Sequence, residues 1–182
     1  MRFFLIIGAK YAIIFKTNNQ KGNVMRLLIT SDSHRNTLAL KRAIEKAKPF
    51  DAFIFLGDVE DDYDEVTMYL AGIHTYAVRG NNDYGSMLAQ TAAVEIGGHR
   101  FLLTHGHRYG LWNGYDALAS AAEQNRCRVA LFGHTHCRHF SEEKGIYLFN
   151  PGSVALPRDG QPPSFGVITI ENGKLDFFHY DL

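Results

Sequence analysis

The sequence predicts an α/β protein in which two β-sheets pack face to face with helices outside, and three observations predict it. Between Met25 and Val78, short apolar runs alternate with amphipathic stretches, as a parallel sheet with crossover helices requires. In the second half, the pairs Gly97-Gly98, Lys144-Gly145 and Asn172-Gly173 each separate two strand-length runs, which reads as hairpins. Several of the runs also end abruptly in Asp, Asn or His, where ligands bind in sheets of this kind.

Arg26 to Thr30 is the first apolar run and ends at Ser31-Asp32-Ser33-His34. Asn36 is an N-cap for a helix with Leu38, Ala39, Ala43, Ile44 and Ala47 on its apolar stripe, stopped by Pro49. Ala52 to Leu56 forms the second strand, ending at Gly57-Asp58. Asp61 to Leu70 follows as a helix whose acidic first turn suits the dipole and which Gly72 closes. His74 to Val78 is the third strand, leading to Arg79-Gly80-Asn81-Asn82-Asp83.

Thr91 to Ile96 and His99 to Thr104 make the first hairpin, and its second strand ends at His105-Gly106-His107. A helix is expected over Tyr115 to Gln124, then a strand over Val129 to Phe132 leading into Gly133-His134-Thr135-His136. Arg138 to Glu142 pairs with Ile146 to Phe149, Asn150-Pro151-Gly152-Ser153 is a turn, and Ser164 to Ile170 pairs with Lys174 to Tyr180. His74 and His99 read as structural, His139 and His179 as strand-surface residues.

Composition narrows the class. A chain of 182 residues, 46% hydrophobic and 13% aromatic, suffices for one domain with a sizeable core. Nineteen basic residues balance nineteen acidic ones, so no electrostatic footprint for long nucleic acid or an anionic membrane is visible. Cys127 and Cys137 are too few for a disulfide framework, which points to a reducing, cytoplasmic setting. Residues 1–24 read as an N-terminal extension of unknown role ahead of a single domain over 25–182. The apolar stretch Phe3 to Phe15 is broken by Lys10 and falls short of the roughly 20 residues of a membrane helix, and a membrane anchor is the alternative reading of it.

Collected together, the strand ends offer Asp32, His34, Asp58, Asn81, His105, His134 and His136. Taken singly, Asp32 is equally a helix cap, Asp58 a turn residue and Asn81 half of an ordinary Gly-Asn turn. Coincidence at five junctions explains the set poorly. Carboxylate, amide and imidazole together suit divalent ions such as Mn²⁺, Fe²⁺ or Zn²⁺. Seven ligands exceed one tetrahedral site and fit two ions sharing a carboxylate, a pair able to acidify a water and clamp a phosphate.

Asp32-Ser33-His34, Gly57-Asp58, Gly80-Asn81-Asn82-Asp83, His105-Gly106-His107 and Gly133-His134-Thr135-His136 resemble, in order, the five motifs of the calcineurin-like metallophosphoesterases. The compact size and the Asn150-Pro151-Gly152-Ser153 turn resemble the small bacterial and archaeal phosphodiesterase branch. The resemblance covers Met25 to about Tyr180 and implies a four-layer αββα sandwich of two mixed sheets. It implies that Asp32, His34, Asp58 and His136 hold one ion and Asp58, Asn81, His105 and His134 the other, with Mn²⁺ expected and Ni²⁺, Fe²⁺, Zn²⁺ or Mg²⁺ as alternatives. A hydroxide shared by the ions would attack a small phosphodiester in line. His107 would either face the phosphate or hydrogen-bond within the site, Asp83 would orient a motif histidine, and Arg35 would either reach a phosphate oxygen or stay solvated.

One position departs from the pattern. Relatives often carry histidine directly after the motif asparagine, where it protonates the leaving group; here that residue is Asn82, which can bond a phosphate oxygen but cannot act as a general acid. Turnover then favours leaving groups that need little protonation, or relies on water or His107. The competing readings are a phosphomonoesterase and a non-catalytic interaction scaffold of the same fold; a scaffold has no need of all seven ligands. A homo-oligomer is left open.

Overall fold

The structure is a computed structural model that describes residues 24–182; the expected N-terminal extension, Val24 apart, lies outside the described residues. Among the described residues, ten strands form two five-stranded sheets. The first has the order β10-β9-β1-β2-β3 and the second β4-β5-β6-β8-β7, with β1 Met25–Thr30, β2 Ala52–Phe55, β3 His74–Ala77, β4 Thr91–Ile96, β5 His99–Thr104, β6 Val129–Leu131, β7 Arg138–Glu143, β8 Ile146–Pro151, β9 Ser164–Glu171 and β10 Lys174–Asp181. Each sheet has a parallel core of three strands, β1-β2-β3 in one and β5-β6-β8 in the other, with antiparallel neighbours at the margins.

Three apolar clusters correspond to the three interfaces of a four-layer sandwich. Between the sheets lie Leu27, Ile29, Ile54, Leu56, Phe101, Leu131 and Phe149, all buried. The alternate residues Leu28, Phe53 and Phe55 face the other way, onto Leu40, Ala43 and Ile44 of α1 (Thr37–Ala47) and Val66 of α2 (Glu60–Thr67). Leu102, Ala130, Phe132 and Leu148 pack on Leu118 and Ala122 of α3 (Asp116–Gln124). Strands covered on both faces read as continuous apolar runs, which is why β1 and β2 stood out in the sequence.

Most element boundaries expected from the sequence move by a residue, and the larger departures concern α1, α2 and β8. In α1, Asn36 does cap the helix, its side chain accepting from the Ala39 N–H at 3.0 Å, but Leu38 is 59% exposed and Leu40 is buried. The buried positions 39, 40, 43, 44 and 47 form one stripe, and position 38 falls outside it. The second helix ends at Thr67, and turn bonds from Tyr69 to Val66 and from Leu70 to Thr67 carry the chain onward. Asn150 and Pro151, expected in a turn, complete β8, with Pro151 opposite Arg138 on β7. Among the described residues no helix is long and apolar enough to cross a membrane.

Candidate metal centre

The carboxyl ends of β1, β2 and β3 meet those of β5 and β6 where the two parallel cores face each other, and the loops leaving them carry the predicted ligands. Asp32 and His105 are fully buried, and Asp58 and His136 nearly so. Oδ1 of Asp32 lies 3.2 Å from Nε2 of His136, which is 3.1 Å from Nε2 of His34. Oδ2 of Asp58 lies 3.5 Å from Nε2 of His105 and 3.8 Å from Nε2 of His34. Asp32 with His34 and His136, and Asp32 with Asp58 and His105, make two sets whose ligand atoms all lie within 4.8 Å of one another.

Two backbone carbonyls orient the imidazoles. Nδ1 of His105 donates to Leu56 O at 2.7 Å, and Nδ1 of His136 donates to Leu156 O at 2.6 Å. A proton fixed on Nδ1 leaves the Nε2 lone pair of the neutral ring free to bind a cation. Nε2 of His105 and Oδ1 of Asp32, 3.9 Å apart, are buried without a hydrogen-bond partner among the described residues. Unpaired buried groups are costly, so an acceptor-rich pocket with orphaned donor atoms fits a divalent ion well.

The electrostatics agree. Burial alone would lower the histidines, yet the carboxylates beside them outweigh it: His105 is raised by Asp58 and Asp32, and His136 by Asp32. Burial would raise Asp58, but His105 and the Asn82 donors hold its carboxyl below the usual carboxylate range. The pocket therefore stabilises positive charge. His134 and His107 move the other way, lowered by burial and then by their neighbour His105.

Backbone geometry is unusual here. Asp32, His34, Arg35, Asp58, His134 and His136 all have positive φ, from 46° to 68°. That region costs a non-glycine residue about 1–2 kcal/mol, and its concentration at one site marks a function for it. Close approach also requires glycine: a Cβ on Gly80 would lie 2.0 Å from Oδ1 of Asp58, and one on Gly133 would collide with Oγ of Ser31.

The remaining predicted residues take different places. The His134 ring meets His105 edge-on at 5.3 Å, and the backbone N–H of His134 donates to Oδ2 of Asp32. Asn81 is exposed on the loop after β3. Asn82 was expected to bond a phosphate oxygen; its side-chain amide instead donates to Oδ2 of Asp58 at 2.5 Å and its backbone N–H to Oδ1 at 2.9 Å. Asp83 was expected to orient a histidine, but its oxygens accept from the backbone N–H groups of Asp58, Glu60 and Gly80. A carboxylate satisfies three such donors where the loops converge. His107 sits 5.6 Å from His105 with Nδ1 unpartnered, and Arg35 is exposed with its backbone N–H on Asp62. His139 and His179 are half-buried rather than on the surface, stacked on Tyr115 and Phe149.

Several supporting groups hold tasks that the sequence did not assign to them. Asp62, buried among three acidic residues that looked like a helix-dipole run, binds Arg35 N–H and the Thr37 hydroxyl and so fixes the loop after β1. Asn150 ties Gly133 O and Thr135 Oγ1, while Ser153 Oγ donates to Asp32 O and accepts from Ala155 and Leu156.

Residues 25–173 match the calcineurin-like phosphoesterase superfamily domain. The chain is 31% identical over 163 residues to the probable metallophosphoesterase YsnB of Bacillus subtilis, covering 86% of this chain and 91% of that one. It is 31% identical over 168 residues to the phosphodiesterase YfcE of Escherichia coli K12, covering 80% and 88%. Among solved structures, a predicted phosphoesterase of Streptococcus pneumoniae TIGR4 shares the fold with a TM-score of 0.71 at 20% identity, covering 87% of this chain and 99% of that one.

Proposed function

The chain belongs to the calcineurin-like phosphoesterase superfamily, metal-dependent hydrolases of phosphoesters, and from that premise we propose that it is a binuclear phosphodiesterase acting on small diesters. Asp32, His34, Asp58 and His136 hold one ion, and Asp58, Asn81, His105 and His134 the other. The observation that carries this reading is the reach of Asp58, whose Oδ2 lies 3.8 Å from Nε2 of His34 and 3.5 Å from Nε2 of His105, a histidine assigned to each ion. Divalent ions bound there supply an acidified water nucleophile and positive charge against the phosphoryl oxygens. Mn²⁺ suits the mixed carboxylate, amide and imidazole donors, with Ni²⁺, Fe²⁺, Zn²⁺ and Mg²⁺ as alternatives.

The protein's own groups have distinct tasks. Asn82 holds both oxygens of Asp58 in place, and Asp83 locks the backbone of Asp58 and Gly80 together. His107, its pKa lowered by burial and by His105, presents its ring to the phosphate. Arg35, next to His34 and with no guanidinium partner among the described residues, pairs with a non-bridging oxygen. With asparagine at position 82, no acid stands there to protonate a poor leaving group, so activated alcohols react best. Residues 25–182 act as one catalytic domain, and two free cysteines fit a reducing, cytoplasmic setting.

The test is hydrolysis of bis(4-nitrophenyl) phosphate by purified protein with added Mn²⁺. Activity should disappear in chelator and almost vanish in Asp58→Asn and His136→Ala. Full activity in chelator would overturn the metal-dependent reading, and a clear preference for 4-nitrophenyl phosphate would assign the chain to monoesters instead.

A further inference from the structure

The segment 152–159 joins β8 to β9 and grips two residues of the cluster, Asp32 and His136. On one side, the Val154 N–H donates to Ser31 O at 3.2 Å and the Ser153 hydroxyl to Asp32 O at 2.8 Å. On the other, Leu156 O accepts from Nδ1 of His136 at 2.6 Å, and the Arg158 N–H donates to His136 O at 3.0 Å. Oδ1 of Asp32 and Nε2 of His136, the atoms gripped in this way, lie 3.2 Å apart. Other groups hold the rest of the centre. His105 is aimed by Leu56 O, and Asp58 is held by Asn82 and Asp83. The His134 N–H on Oδ2 of Asp32 links the two halves.

The two grips meet in one oxygen. Ser153 is fully buried, and its hydroxyl makes the three bonds a hydroxyl can make: it donates to Asp32 O and accepts from the N–H groups of Ala155 at 3.1 Å and Leu156 at 2.8 Å. The two accepted bonds close a local turn, a common task for serine. The donated bond spans 121 positions, and no turn requires it. Nor is the hydroxyl needed to moor the segment. Val154 is fully buried in the cluster that contains Leu28 and Leu40, and the Ser164 N–H donates to Ser153 O at 2.8 Å. The hydroxyl instead sets the main chain at Asp32 against the main chain at Leu156, whose carbonyl aims His136.

We propose that Ser153 is a positioning residue for one of the two ions: its hydroxyl fixes the spacing of Asp32 and His136, and with it the affinity for the ion they share. The ion beside His105 depends on Leu56, Asn82 and Asp83 instead. The inference rests on the two-ion reading of the centre. It gives the two halves of the centre separate supports, so that one can be loosened while the other keeps its grip.

The experiment titrates the full-length protein, its histidine rings labelled with ¹⁵N, with Zn²⁺ against a competing chelator. The Nε2 resonance of His136 reports one ion and that of His105 the other. In Ser153→Ala, half-saturation at His136 should move to about 10–100-fold higher free Zn²⁺, and that at His105 should move far less. A second readout follows the Nδ1 protons of the same two rings in the Zn²⁺-loaded protein: exchange with solvent should quicken at His136 and stay unchanged at His105. Ser153→Thr, which keeps the hydroxyl, should restore both. Ser153→Cys fills the same space with a weaker donor and should show the same pattern at smaller amplitude, so it carries the test where alanine does not fold. Equal shifts at the two histidines mean a general loosening and overturn the proposal, and no shift at either leaves the hydroxyl as a turn-closing group and overturns it too. Saturation of both rings by a single equivalent of Zn²⁺ in the unaltered protein overturns the two-ion reading. The contrast in ring-proton exchange then decides the role of Ser153 alone.

Discussion

Replacing Gly80 by alanine probes how the metal centre is built without touching a ligand. Gly80 does not have positive φ, so alanine meets no backbone penalty there; the whole effect is steric. The new Cβ would lie 2.0 Å from Oδ1 of Asp58, 2.8 Å from its Cγ and 2.8 Å from its backbone N, whereas ordinary contact begins near 3.4 Å. The carboxylate cannot simply rotate away. Both of its oxygens are held by Asn82, and its backbone N–H is held by Asp83, which also accepts from Gly80. Either the ends of β2 and β3 separate or Asp58 leaves its position near His34 and His105. Overpacking of this kind costs about 1–3 kcal/mol of folding stability. Disturbing the support of a ligand lowers metal affinity by roughly 10–100-fold. Urea denaturation in chelator reads the first effect and calorimetric titration with Mn²⁺ the second. Gly85→Ala is the control: its φ of +79° makes alanine strained by about 1–2 kcal/mol, but nothing lies within 4 Å of the new Cβ. It should lose stability and keep metal affinity. Wild-type affinity in Gly80→Ala would refute the argument that this glycine exists to admit the Asp58 carboxylate.

Three further outcomes are expected. Asp83→Asn turns an NH₂ group toward backbone N–H donors that both carboxylate oxygens now accept, leaving at least one unsatisfied; a loss of about 1–3 kcal/mol is expected in urea denaturation, and an unchanged midpoint would contradict it. Chelation should lower the thermal midpoint by the linkage of metal to the folded state alone, about 2.7 kcal/mol when free metal had been 100 times Kd; calorimetric scans with and without chelator that superimpose would count against a bound ion. Burial lowers His179 below the ordinary value of about 6.5, against the opposing bond to Asn150 O. The unfolded chain therefore takes up this proton first as pH falls through about 6.5, and stability declines between there and the lower folded value, with no contribution above it. His179→Gln, which keeps a donor for Asn150, should flatten that slope in the metal-free protein, and an identical slope would assign the effect elsewhere.

The parts of the site that were legible share a cause. Asp32, Asp58, His105, His134 and His136 each terminate a strand buried on both faces, so an abrupt polar residue after an unbroken apolar run was visible in one dimension. The assignment of tasks was less legible because it depends on partners far apart in sequence. Asp83 serves Asp58 and Glu60 from 25 and 23 positions away, and Asp62 serves Arg35 and Thr37 from 27 and 25. Nothing in the local pattern distinguishes Asp62 from the exposed acids beside it. His139 and His179 alternate like surface residues along their strands, and only the stacking on Tyr115 and Phe149 shows otherwise. Leu38 and Leu40 illustrate the same limit in a helix, where both are apolar and only the phase relative to the sheet decides which is covered.

The carbonyls of Leu56 and Leu156 that hold His105 and His136 have a consequence for how this sequence can drift. Leu156 has a side chain 53% exposed, so by its covering alone the position looks free to vary. Its main chain is committed twice, its oxygen to Nδ1 of His136 and its N–H to Oγ of Ser153. Almost any residue can supply those two atoms, whereas proline has no N–H to give. The aim of an essential imidazole is thus written in the path of the chain rather than in a letter of the alphabet, and a comparison of residues column by column would pass over it.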